Sequence, residues 1–170
     1  DEVLLWQESI KLYPRNERAY INLANEFLRT QRFEDANLVL EKLLEMYPRY
    51  VDALTTMGLL HYFPSNPHRN LEKAAYFFQS ALADNPNQPN TLLNAGFLML
   101  ELGKIPDAED YFQRSIAFDP RNGRAYYGAG QVSVKKGEIL KAREYLQLAI
   151  RLEPANVAAR ALLAQISEAP

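Results

Sequence analysis

Apolar residues recur at helical spacing along this 170-residue chain, in short stretches separated by glycine, proline or asparagine. Residues 123–156 show the arrangement most clearly, because two helical patterns stand there with Gly137 between them and Pro154 after the second. Glycine commonly follows the end of a helix and proline cannot continue one, so these residues mark helix boundaries. The same arrangement recurs throughout the chain, which predicts about ten helices arranged in pairs.

Five prolines give the period of this arrangement. Successive prolines are separated by 34, 38, 34 and 34 residues, and a fixed spacing of this size indicates a repeat architecture. Small residues stand 12 and 24 residues before the prolines (28 in the longest interval), where they would let neighbouring helices approach closely. The prolines are Pro14, Pro48, Pro86, Pro120 and Pro154, and the small residues are Ala24, Gly58, Gly96 and Gly130 with Ala36, Ala74, Ala108 and Ala142.

These positions resemble the tetratricopeptide repeat (TPR) family, whose 34-residue unit places leucine, glycine, alanine, an aromatic residue and proline in a fixed order. Four copies match in register and cover essentially the whole chain. One copy reads Leu92, Ala95, Gly96, Met99, Ala108, Phe112 and Pro120. The resemblance implies an all-α fold, a right-handed superhelical array of antiparallel helix pairs in which each pair buries its apolar face against the next.

The register divides the chain into segments of a single TPR domain. Residues 1–16 are expected to form the second helix of a partial repeat, and residues 17–50, 51–88, 89–122 and 123–156 four full repeats. Residues 157–170 are expected to form a terminal or capping helix. The second repeat has four extra residues, and because Pro64 and Pro67 cannot continue a helix, we expect these residues in the turn between its helices. This loop, centred on residues 64–69, is either a spacer or a ligand contact.

Composition and charge argue against several functions. A formal net charge of −2 provides no basic field for nucleic acid. The sequence contains no run of about 18 apolar residues, so we expect no insertion of this segment into a membrane. There is no cysteine, and the two histidines, His61 and His68, have no second cluster of ligands near them in sequence. Phosphate-binding and nucleophile motifs are also absent from the sequence, so we predict a protein that is not an enzyme and uses no cofactor or metal.

The resemblance implies that the first helix of each repeat lines a concave groove that binds partners. Helical spacing then selects the residues that point into it. Asn22 and Asn94 are similar to the asparagines of peptide-binding arrays, whose amides can pair with a peptide backbone, although Thr56 and Gly128 interrupt this ladder. The alternative is a groove whose polar residues are simply solvated. The predicted peptide-binding residues are Asn22, Asn25, Thr55, Leu59, Asn94, Phe97, Arg124, Tyr127 and Gln131.

The predicted function is therefore a non-catalytic scaffold that binds a protein or peptide segment in its groove. The alternative is a structural self-assembly module of a larger membrane-anchored protein, and exposed apolar residues on a terminal helix, such as Val3, Leu4 and Trp6, would be its sign. The sequence does not indicate a homo-oligomer.

The first residues carry a second resemblance. Leu5, Trp6, Ser9 and Pro14 are similar to a segment that joins a membrane-embedded, glycosyltransferase-like region to a TPR tail in some bacterial proteins. This origin would place the domain outside the cytoplasm, and a cytoplasmic domain is the alternative.

Overall fold

The computed structural model describes residues 2–168, so the predictions for Asp1, Ala169 and Pro170 lie outside the described residues. Ten α-helices and no strand occur in this part of the chain, which confirms the all-α prediction. The helices are α1 Glu2–Leu12, α2 Glu17–Arg29, α3 Phe33–Met46, α4 Val51–Tyr62, α5 Leu71–Asp84, α6 Pro89–Glu101, α7 Ile105–Phe118, α8 Gly123–Lys135, α9 Ile139–Leu152 and α10 Val157–Glu168.

The helices fall into two compact units, Asp1–Pro86 (unit 1) and Asn87–Pro170 (unit 2). In unit 1, α1 packs on α2, α2 on α3, α3 on α4 and α4 on α5, while α2 also contacts α4. In unit 2, each helix from α6 to α10 packs on the next, and α6 also contacts α8. Thus α2 and α4 in unit 1, and α6 and α8 in unit 2, also lie side by side. The limits of the individual repeats stay a prediction.

Small residues in the helices make room for large aromatic rings. A Cβ atom on Gly58 would lie 2.4 Å from the ring of Phe78 in unit 1. In unit 2, Cβ atoms on Gly96 and Gly128 would lie 2.8 Å and 2.3 Å from the ring of Phe112. Phe112 is fully buried, so its ring fills the space that the two glycines leave between α6, α7 and α8. Glycine at 128 is thus a packing requirement, which the sequence pattern did not reveal.

Asparagines begin several helices. The side chains of Asn16 and Asn122 accept hydrogen bonds from the backbone N–H groups of Ala19 and Ala125, each at 3.3 Å, so both residues are N-caps. Two further asparagines act in the same way at α5 and α10. They are Asn70 and Asn156.

The turns within the helix pairs are of two kinds. Gly103 and Gly137 have φ angles of 73° and 75° in the turns after α6 and α8, where a left-handed residue redirects the chain. Gln31 adopts a similar φ of 57° after α2 without being glycine. The connection between α4 and α5 is different, because it spans residues 63–70 and contains a buried asparagine, Asn66.

Candidate functional site

Five of the nine predicted binding residues lie on α6 and α8 of unit 2. The ring centroids of Phe97 and Tyr127 are 6.3 Å apart, with 40° between the ring planes. The guanidinium carbon of Arg124 lies 5.8 Å from the centroid of the Phe97 ring. The structure therefore brings these three side chains together. We call these three residues, together with Asn94 of α6 and Gln131 of α8, the aromatic strip.

The aromatic strip rests on the core of unit 2. The rings of Phe97 and Phe112 are 4.9 Å apart and meet edge to face at 72°, a favoured geometry for aromatic pairs. Phe97 and Tyr127 are both half-buried, so each ring packs against a neighbour and still presents part of its surface to solvent. Packing on a fixed ring holds Phe97 in place, which lowers the entropy that binding would cost.

The polar groups of the aromatic strip offer several hydrogen bonds. Burial raises the pKa of the Tyr127 phenol above its ordinary value, so the hydroxyl stays protonated at neutral pH and can donate. Gln131 is half-buried, and its amide carries both donors and an acceptor, whereas Asn94 is buried, with 9% of its surface exposed, and is less accessible than Gln131. Arg124 is exposed and supplies the positive charge, while its backbone N–H donates to the carboxylate of Glu153 at 3.2 Å.

The other four predicted residues lie in unit 1 and are placed less uniformly. On α2, Asn25 is exposed and Asn22 is half-buried, so both amides have access to solvent. On α4, Thr55 is 8% exposed and Leu59 packs against the core of unit 1. The structure therefore leaves α2 as the more accessible part of this set.

Unit 1 contains a feature that the sequence did not locate. A cavity of about 960 Å³ lies beside the α4–α5 connection, and we call it the loop cavity. His61 lines it, and the ring of this histidine stacks on Phe77 at 5.7 Å between centroids. Burial, and then the nearby charge of Lys73, lowers the pKa of His61 below its ordinary value. The one sequence signal for this cavity was the four-residue excess of the second repeat.

Residues 2–168 contain neither a cluster of metal ligands nor a membrane-spanning helix. No group of three or more histidine, aspartate or glutamate side chains in this range could hold a metal ion. None of the helices described there has the length and apolarity that crossing a bilayer requires.

Sequence profiles described as tetratricopeptide repeat match residues 21–89, 68–129 and 123–156. Together these matches run from the first helix of the first full repeat to the end of the last. The chain belongs to the tetratricopeptide repeat family.

Solved structures share the fold over most of the chain. A thermophilic TPR protein of Thermus thermophilus superposes with a TM-score of 0.79 at 19% identity, over 97% of this chain and 88% of that one. YrrB, described as a TPR protein with an unusual peptide-binding site, gives a TM-score of 0.68 at 21% identity, over 94% and 80%. A chain of the APC/C hetero-tetramer Cut9–Hcn1 gives 0.83 at 17% identity, over 96% of this chain and 32% of that one. At these identities the likeness concerns the fold.

Among curated proteins, none matches this sequence significantly. The resemblance of residues 5–14 to the linker of a glycosyltransferase-like membrane protein receives no support from the family matches or the solved structures.

Proposed function

We propose that this chain is a non-catalytic scaffold that binds a peptide or protein segment along the first helices of its repeats. The aromatic strip is the main contact, and Asn22, Asn25, Thr55 and Leu59 are the proposed contacts of unit 1. The observation that carries the proposal is the cluster of Phe97, Tyr127 and Arg124, in which two partly exposed rings and a cation lie together.

The chemistry of the aromatic strip suits a polypeptide. A few aromatic and arginine anchors commonly carry most of the affinity of a protein interface. Amides beside such anchors can pair with a peptide backbone and fix its register, and Asn94 and Gln131 provide them here. Two structural relatives are described as binding a peptide or assembling with another protein, which is consistent with this use of the fold.

The positive charge of Arg124 indicates which peptides the aromatic strip prefers. Its guanidinium lies over the Phe97 ring, and an exposed cation held beside an aromatic surface attracts an acidic side chain or a chain carboxylate. We therefore expect bound peptides to carry an acidic group next to a large apolar residue.

A selection experiment tests the proposed function. Random dodecapeptides displayed on phage are selected on the wild-type chain, and we expect enrichment of peptides that pair an acidic residue with an aromatic or large aliphatic one. Arg124→Glu should lower the affinity for these peptides by about tenfold, which corresponds to roughly 1.4 kcal/mol of binding free energy. Arg121→Glu, an exposed arginine in the preceding turn, is the matched control and should leave affinity unchanged. Equal affinity for both variants would contradict the role of Arg124.

Self-association is the second candidate function, and one observation favours it. Leu4 and Leu5 on α1 are 60% and 61% exposed, whereas Val3 and Trp6 pack against the core of unit 1. The surface available for assembly is therefore narrower than the sequence suggested. A mass above that of the monomer in light scattering, restored to the monomer by Leu4→Lys with Leu5→Lys, would support this function, and a monomeric wild type would reject it.

A further inference from the structure

We propose that the loop cavity of unit 1 is a second peptide-docking site, which takes a large apolar side chain flanked by residues of opposite charge. It lies between α3 and α5, which are second helices, and shares no residue with the aromatic strip. Its volume of about 960 Å³ falls in the range of binding clefts. The proposal is independent of the proposed function.

The wall of the cavity is already formed. Asn66 is 5% exposed, and its side-chain amide donates to the backbone oxygen of Leu60 at 2.8 Å. The side-chain oxygen of Asn66 accepts from the backbone N–H of His68, also at 2.8 Å. The backbone N–H of Asn70 donates to the backbone oxygen of His61 at 2.9 Å. These bonds fix the connection between α4 and α5, so a partner does not have to order it on binding.

The interior is apolar, and the apolar surface continues beyond it. Phe33, Met57 and Leu60 line the cavity and are buried. Leu38 on α3 and Tyr76 on α5 also line it, yet they are 64% and 65% exposed. An anchor in the cavity would therefore leave apolar surface uncovered on both flanking helices. A polypeptide segment covers such a surface, which is why we assign the site to a peptide instead of a small molecule.

The two sides of the cavity carry opposite charges. Glu34 and Glu41 stand seven residues apart on α3, which places them on one face of that helix. Across the cavity stand two cations, Arg69 in the connection and Lys73 on α5, with His68 beside Arg69. The Glu34 carboxylate lies 3.6 Å from Nε2 of His68 and brings the two sides together at one place. Away from this pair, the acidic side fits a basic residue of the partner and the Lys73 side fits an acidic one.

His61 adapts the interior to an apolar group. Its lowered pKa, caused first by burial and then by Lys73, keeps the imidazole neutral at neutral pH, so an entering side chain meets no buried charge. Nδ1 of His61 is buried without a hydrogen-bond partner among the described residues.

The test selects phage-displayed random dodecapeptides on the full chain. Each selected peptide is then classified by the variants to which it no longer binds. We expect one class of peptides that no longer binds the Leu38→Ala/Tyr76→Ala variant but still binds the Phe97→Ala/Tyr127→Ala variant. Both substitutions in the first pair are at exposed positions, so the fold should be retained. The dissociation constant of this class should rise by about tenfold or more in the first pair, as expected for anchor residues. Lys73→Glu should weaken the same class, and Lys135→Glu, an exposed lysine of unit 2, should not.

Three results would overturn the proposal. One is a selection that yields no peptide of this class. Another is a set of peptides whose dissociation constants are unchanged by both the Leu38→Ala/Tyr76→Ala pair and Lys73→Glu. The third is a dimer of the wild type that Leu38→Ala/Tyr76→Ala abolishes, which would assign this face to a second copy of the chain. Loss of peptides in the Phe97→Ala/Tyr127→Ala variant alone would support the proposed function and not this site.

Discussion

Phe112→Ala should lower the free energy of unfolding by about 3–5 kcal/mol, the usual cost of deleting a buried phenylalanine. The ring is fully buried and contacts Phe97 at 4.9 Å between centroids. It also fills the space left by Gly96 and Gly128, so its removal leaves a cavity that helices without side chains at those positions cannot close easily. Urea unfolding followed by circular dichroism measures the change.

A second substitution makes this prediction specific. Phe118→Ala removes an exposed ring from the same helix and should change stability by about 0.5 kcal/mol or less. Gly128→Ala places a methyl group where the Phe112 ring lies, so it should destabilise the wild type and cost much less in the Phe112→Ala background. Additive costs in this double-mutant cycle would show that the ring and the glycine do not compete for one space.

The double substitution Phe97→Ala with Tyr127→Ala should lower the affinity for peptides that bind the aromatic strip by well over tenfold. This corresponds to more than about 1.4 kcal/mol of binding free energy. Both rings are partly exposed and lie together, so their removal takes away the aromatic surface that the aromatic strip offers to a ligand. Isothermal titration at a temperature well below the melting transition measures the affinity. Circular dichroism shows whether the helices remain.

The rival explanation is that the two rings serve packing alone. Phe97 does contact Phe112, so some loss of stability is expected in the double variant. Phe118→Ala is the control for the loss of a ring from unit 2 without change to the aromatic strip. Retained affinity in a folded double variant would remove the aromatic strip as the binding site.

Much of the fold could be predicted because local signals agree with each other. Gly137, predicted to separate two helices, lies in the turn between α8 and α9, and Pro154 follows the end of α9. The extra residues of the second repeat lie between α4 and α5, as predicted, because Pro64 and Pro67 cannot continue a helix. Such boundaries depend on neighbours within a few residues, which a sequence displays directly.

The remaining features depend on contacts between residues far apart in sequence. Gly128 interrupts the expected row of asparagines because Phe112, from another helix, occupies the space beside it. Thr55 has the helical register of a groove residue, yet the packing of unit 1 leaves it 8% exposed. The loop cavity depends on the hydrogen bond from the Asn66 side chain to the backbone oxygen of Leu60, which no local sequence pattern predicts. Helical periodicity predicts the direction in which a side chain points, but it does not predict how deeply neighbouring helices bury that side chain.

A map of where a selected peptide binds tests most directly whether the aromatic strip is the binding site. Backbone amide NMR signals of the wild-type chain are followed during titration with a peptide enriched on it and weakened by Arg124→Glu. We expect the largest shifts on α6 and α8, at Asn94, Phe97, Tyr127 and Gln131, with smaller shifts on the outer residues of α7 and α9. Shifts confined to α7 and α9, or an absence of shifts on α6 and α8 at saturating peptide, would contradict binding at the aromatic strip.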